Sequence, residues 1–158
     1  MHALDMFQEK MNENYVWKLF TIGVVIPSLE CSLCFGTTET PFHVLRECPF
    51  AAQVWKEIHK WCGYQLALDL PLKNSLDSIT HLNEKTDLRN ALYSILLATL
   101  WFIWKTRNEF IFSTKRVAVN KVVDEIKFNT FAWMKKRAKL ENLVWHTWCS
   151  FSFRNFPL

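Results

Sequence analysis

The sequence predicts a mainly α-helical domain with a small cysteine- and histidine-bearing lobe near its N-terminus. Three observations carry that expectation. Only three glycines occur in 158 residues, too few for a fold built from many tight hairpins, where glycine supplies the positive φ angles. Apolar residues recur at three- and four-residue spacing over two separate stretches, the period of a helix with one buried side. Half of all residues are hydrophobic, with eight Trp and thirteen Phe, which is ample material for the core of one domain of this length.

The elements can be justified in chain order. The opening stretch, MHALDMFQEKMNENYVWK, mixes acids and amides without an apolar run, so it reads as neither a secretory signal nor a transit peptide. A partly ordered segment is expected over 1–28. Thr40-Pro41 reads as a helix start, with Thr40 able to cap and Pro41 at the first helical position, where a missing N–H has no consequence. That short helix stops at Cys48, and Pro49 opens the next, PFAAQVWKEIHKWC, whose Phe50, Val54, Ile58 and Trp61 form one apolar stripe. Gly63 ends it. From Tyr64 to Ser75 there is no clear period, and a weak helix is expected around Leu76 to Leu82.

Thr86 and Asp87 start the longest element, TDLRNALYSILLATLWFIWKTRNEFIF, with an acid in the first turn where the helix dipole favours it. Its apolar residues cover most of the circumference, which implies burial on several sides. The charge-free run Ala91 to Trp104 is fourteen residues long. A membrane-spanning helix needs about 20, so this is a core helix and no membrane is expected as a partner. STKRVAV interrupts the pattern, and Asn120 begins a last long amphipathic helix with Val122, Ile126, Thr130, Trp133, Arg137 and Leu140 on its inner side. The organisation is then an N-terminal segment over 1–28, a cysteine- and histidine-bearing lobe and following helix over 29–62, and a helical body over 63–158.

The lobe over 29–62 contains CSLCFGTTETPFHVLREC, which reads as zinc-binding for the following reasons. Cys31 and Cys34 form C-x2-C, a spacing that lets two thiolates of one tight turn reach the same ion, and His43 and Cys48 form H-x4-C further on. Tetrahedral Zn2+ takes four such ligands at about 2.0–2.3 Å, and a full Cys3His set leaves no open position for water. Such a site is structural. An iron–sulfur cluster usually asks for a fourth Cys. Five cysteines without a secretory signal point to an intracellular, reducing compartment, nucleus or cytoplasm, where clustered cysteines bind metal more often than they pair. His59 and Cys62, and likewise His146 and Cys149, lie one turn apart among tryptophans and read as core or boundary packing. No glycine-rich phosphate loop, nucleophile elbow or paired-Asp arrangement is present, and the adjacent pair Asp124-Glu125 reads as surface charge. The chain is not expected to be an enzyme.

CSLCFGTTETPFHVLRECPFAAQVW resembles the zinc-binding domain that follows the reverse transcriptase in plant non-LTR (LINE-type) retrotransposons. The pattern is C-x-x-C, a gap, E-[ST]-x-x-H, two hydrophobics, x-x-C, then an aromatic and a Trp; Cys31, Cys34, Glu39, Thr40, His43, Val44, Leu45, Cys48, Phe50 and Trp55 occupy it. WFIWKTRNEFIF is similar to a W-x-I-W-K-x-R-N tract found downstream in such proteins, through Trp101, Ile103, Trp104, Lys105, Arg107, Asn108 and Phe112. The likeness covers about Lys18 to Phe153. It lacks the family's upstream F-x-W-R tract, a Y-x-D-D polymerase motif and a ribonuclease H segment, so the chain reads as a truncated stand-alone fragment.

The resemblance implies a non-catalytic zinc-binding module that assists nucleic-acid binding. Charge agrees in part. Up to Thr80 there are six Lys/Arg against nine Asp/Glu, a net of −3; from His81 onward there are thirteen against six, a net of +7. Lys105, Arg107, Lys115, Arg116, Lys135, Lys136 and Arg137 are the candidate phosphate contacts, and RNA or DNA would be held weakly and without sequence preference. Two alternatives stay open. The chain is a helical protein-interaction module for a reverse transcriptase or another protein, or it is a degenerate retroelement fragment without selected function.

Overall fold

The computed structural model describes residues 30–67 and 72–155. The segment expected to be partly ordered, 1–28, lies outside them. The chain is mainly α, and among the described residues β structure is limited to an isolated antiparallel bridge between Glu30 and Thr38. After a π-helical turn, His43–Glu47, come α1 (Pro49–Cys62), α2 (Leu72–Thr80), α3 (Thr86–Ser113), α4 (Val119–Lys136), α5 (Trp145–Cys149) and a closing 3₁₀ turn, Phe153–Asn155.

The helix starts and stops are set locally. Thr40 Oγ1 accepts from the His43 N–H at 3.0 Å, the side-chain cap its position suggests. Pro49 is the first residue of α1, and Gly63 closes it in the left-handed conformation at φ 63°. A side chain there would be strained by that φ and would also bring its Cβ to 2.8 Å from Ser152 Oγ. α2 begins at Leu72, four positions before the predicted start, inside a stretch read from sequence as connection. Its Leu76 and Ile79 are buried, one turn apart, so packing on the body supports a helix whose own sequence is a weak former.

α3 and α4 form the central helical hairpin, with α1 and the π-helical turn laid against it. Burial on α3 is spread around the helix: Leu88, Leu92, Ile95, Leu96, Leu100 and Ile103 all lie within the core. Ser94, Thr99 and Thr106 return their hydroxyls to the carbonyls of Ala91, Ile95 and Phe102, so they enter the apolar interior with their donors satisfied. No described helix is long and apolar enough to cross a membrane.

The inner side of α4 differs from the predicted stripe. Val122, Ile126 and Thr130 are buried as expected, joined by Val123 and Met134, while Trp133 is only half-buried and Arg137 is exposed. The helix ends at Lys136 with Arg137 as its cap, and Lys139 turns the chain at φ 57°. A period extrapolated past that cap no longer describes a face.

Tryptophans tie the C-terminal turns to the hairpin. Trp61 Nε1 donates to the Trp148 carbonyl at 3.1 Å, and Trp148 Nε1 donates to the Lys127 carbonyl at 3.0 Å. Trp148 stacks on Phe151 with centroids 5.1 Å apart. Each indole thus buries its apolar area and still places its N–H. The same buried cluster runs from Cys31 and Cys48 through α1 and α3 to Trp148, so the lobe and the helical body share one core.

Gly63→Ala is expected to destabilise the protein by about 1–2 kcal/mol, the cost of a left-handed non-glycine residue, measured by urea unfolding. Gly36→Ala is the control and should be near neutral, since its added Cβ meets only the Cys34 carbonyl at 3.8 Å.

Candidate metal centre

The lobe brings four side chains together by two local devices. The Cys31 N–H bonds the Thr37 carbonyl and the Phe35 N–H bonds the Cys31 carbonyl, both at 2.8 Å, closing a tight loop around Cys31 and Cys34. Phe35 takes the left-handed conformation at φ 56° within it. The second device is the π-helical turn. In an α-helix, residues five apart point about 140° away from each other. Here the Cys48 N–H bonds the His43 carbonyl at 2.7 Å, so the turn is widened by one residue and His43 and Cys48 come onto the same side. Single π turns of this kind recur at functional sites.

The outcome is a compact quartet. One ligand atom from each of Cys31, Cys34, His43 and Cys48 lies within 4.8 Å of every other. Cys31 Sγ is 3.9 Å from Cys48 Sγ, and Cys34 Sγ is 3.4 Å from His43 Nε2. A tetrahedron with metal–sulfur bonds of about 2.3 Å and a metal–nitrogen bond of about 2.0–2.1 Å has edges of about 3.4–3.8 Å. These two separations are close to that size and far from a disulfide; the three cysteines of the quartet are free thiols. Cys31, His43 and Cys48 are buried and Cys34 is half-buried, so the quartet can close around an ion with little access for water.

The buried thiol pair is polarised. The Cys31 thiol, donating to Cys48 Sγ and removed from water, is pushed far above its ordinary range. The hydrogen bond from Cys31 holds Cys48 below its ordinary value despite burial, helped by the backbone N–H groups of Phe50 and Ala51 at the start of α1. The other predicted pairs behave differently. Cys62 is buried and donates to the Tyr64 carbonyl at 3.2 Å; burial pushes its thiol up to about 11. His146 is exposed and Cys149 half-buried, so of that pair only Cys149 belongs to the boundary.

The seven basic candidates separate into two groups. Lys115, Lys136 and Arg137 are exposed. Lys105 is exposed but bridges Glu109 at 3.6 Å, Arg116 lies over the rings of Phe35 and Phe110 at 5.8 and 5.5 Å, and Lys135 lies over Phe131 at 5.6 Å. Arg107 corrects the expectation. It is buried, and its guanidinium meets the Glu39 carboxylate through Nε at 3.1 and 3.3 Å and through Nη2, with Nη1 on Asn108 Oδ1 at 3.0 Å. A guanidinium held by a carboxylate away from water is a structural cation, not a phosphate contact.

Sequence alone does not reveal that pair, although both residues belong to the motifs described above. Glu39 comes from the lobe and Arg107 from the tract in α3, 68 residues away, and in sequence each reads as an independent feature. Neither the segment Cys31–Cys48, which also holds Glu47, nor α3, which also holds Arg89, carries a local sign that singles out this pair.

No protein-family model, curated protein or solved structure matches the chain. The site defines the class of protein, one with a Cys3His group able to hold a metal ion in a mainly helical domain.

Glu39→Gln is expected to destabilise the protein by about 3–5 kcal/mol, because it leaves the Arg107 charge buried without its counterion. Urea unfolding checks the loss. Glu39→Leu combined with Arg107→Met should recover much of it, since an apolar pair of similar volume removes both desolvation costs.

Proposed function

We propose that the protein is a non-catalytic zinc-binding module of the kind that follows the reverse transcriptase in plant non-LTR retrotransposons, and that its exposed basic residues assist nucleic-acid binding. The observation that carries the metal is the spacing of the quartet, whose 3.9 and 3.4 Å separations fit tetrahedral edges. Three thiolates and one imidazole are the donor set that suits Zn2+, and four protein ligands close the site. The ion would act as a fold fastener, joining the loop that carries Cys31 and Cys34 to the turn that carries His43 and Cys48. The contact between Glu39 and Arg107 supports the family reading, because it joins the two tracts on which the resemblance rests.

Nucleic acid enters through charge alone. Of the seven candidates, Lys115, Lys136 and Arg137 are exposed and engage neither an acid nor an aromatic ring described above, and such contacts give weak, sequence-tolerant binding, about 10⁻⁴–10⁻⁶ M at physiological salt. The rival reading, a protein-interaction module, draws on exposed aromatics: Phe128 is 61% exposed and Trp145 42%, with ring centroids 6.2 Å apart. Salt separates the two, since phosphate binding weakens steeply with ionic strength and an aromatic interface does not.

Purified protein is expected to carry one zinc per chain, with X-ray absorption showing three sulfur neighbours and one nitrogen; fewer than three sulfurs would overturn the assignment. Cys48→Ser should raise amide exchange between Cys31 and Cys48 more than in α3 and α4, whose apolar contacts do not depend on the ion. For nucleic acid, changing Lys135, Lys136 and Arg137 together to Gln should flatten the plot of log affinity against log salt by at most about two units, roughly 0.7 per phosphate contact on a single strand. An unchanged slope would make that end of α4 a solvated face.

A further inference from the structure

An open cleft of about 510 Å³ lies between the π-helical turn and the outer side of α1, and Arg46, Trp55, Lys56, His59, Lys60 and Gln65 line it. Four of these residues carry basic groups and none carries an acid. The spacing explains their convergence. Lys56 and Lys60 are four apart on α1, as are Trp55 and His59, so each pair stands one above the other, and the π-helical turn supplies Arg46 from the side.

Two polar atoms of this wall are unmet. Arg46 Nη1 and His59 Nε2 are buried and have no hydrogen-bond partner among the described residues. A buried donor without a partner is destabilising, and more so when it is charged. The groups also oppose each other. Burial disfavours the His59 imidazolium, the Leu66 backbone bonded to the ring partly offsets this, and the Arg46 charge disfavours it further. The ring is held in place by Trp55, whose centroid is 5.7 Å away at 34°, and Trp55 spends its own N–H on the Leu45 carbonyl at 2.7 Å. A wall of cations with two orphaned nitrogens and no acid lacks one thing, an anion with several acceptor oxygens.

We propose that this cleft is a binding site for a phosphate group, with its oxygens on Arg46 Nη1 and His59 Nε2 and with Lys56 and Lys60 at the rim. Tetrahedral phosphate presents oxygens in more than one direction, which suits cations arriving from a turn and from two rows of a helix; a carboxylate presents two in one plane. The neutral His59 ring accepts the P–OH of hydrogen phosphate through Nε2, and the protonated ring donates to a bare P–O, so either protonation state makes the bond. Trp55 is only 4% exposed and offers no face for a base, so the phosphate group itself is what the cleft recognises. The site uses none of the metal ligands and none of the basic residues of the C-terminal half, and it stands independently of the proposed function.

The test is a titration of the isotope-labelled full chain with sodium phosphate, following the His59 ring resonances by NMR, against sodium chloride at equal ionic strength. Saturable shifts with phosphate and none with chloride are expected. Arg46→Gln should weaken binding at least about tenfold, the loss of one charge-assisted hydrogen bond, and Lys56→Gln with Lys60→Gln should weaken it by a smaller factor. Non-saturating shifts, equal shifts with chloride, or parent-like affinity in Arg46→Gln would overturn the site. If Arg46→Gln fails to fold, the double Lys variant decides, because both side chains are exposed; unchanged affinity there overturns the site. A 5′-phosphorylated oligonucleotide that displaces phosphate better than its unphosphorylated twin supports the site with a strand end as its source. Equal and weak displacement by both oligonucleotides, with saturable phosphate binding retained, supports it with the free ion as source.

Discussion

The fold depends on one buried ion pair. Glu39 and Arg107 each expose less than a tenth of their side chains, and they join the lobe that carries the Cys3His quartet to the helix that fills the core. An unpaired charge at either position would be intolerable in that environment, so the lobe cannot leave α3 without exposing the pair to water or stranding one member of it. Because Arg107 also bonds Asn108, the guanidinium is fixed in orientation as well as neutralised. The pair therefore adds a directional contact to the apolar ones by which the lobe docks.

That docking gives the quartet its surroundings. Cys31 and Cys48 are fully buried within the same cluster as Val54, Ile58 and Leu100, so the thiol pair loses solvation and that side of the quartet faces away from water. Three thiolates and an imidazole around Zn2+ would carry a local charge of −1, a poor surface for an anion. The cationic character of the lobe is displaced to the far side of the π-helical turn and to α1, where Arg46, Lys56 and Lys60 stand. One short turn thus divides two kinds of chemistry: His43 faces the thiols and Arg46 faces the cleft.

The basic half of the chain is less uniform than its net charge of +7 suggests. Arg107 is consumed by structure, Lys105 by a neighbour on its own helix, and Arg116 and Lys135 by aromatic rings. Lys127 is partly drawn in over Trp61 at 5.3 Å while its carbonyl accepts from Trp148. Long cationic side chains covering aromatic surface in this way contribute packing as well as charge, and a count of Lys and Arg does not distinguish the two uses.

What the sequence determined by itself was local. C-x2-C and H-x4-C, the cap at Thr40, the start at Pro49, the stop at Gly63 and the all-round burial of α3 are each written within one or two turns of chain, where spacing and backbone preference act directly. Tertiary structure decided the rest. Whether an Arg is a surface cation or a buried one depends on a Glu 68 residues away; whether Trp133 or Met134 enters the core depends on where α4 meets its neighbours; α2 extends because Leu76 and Ile79 find the body to bury against. The cleft beside α1 is of the same kind, since its orphaned nitrogens come from residues thirteen apart whose approach is set by the angle between a widened turn and the helix that follows it. Periodicity reports which side of a helix is apolar, but burial of charge is a pairwise property of groups brought together by folding, and no single stretch of chain contains it.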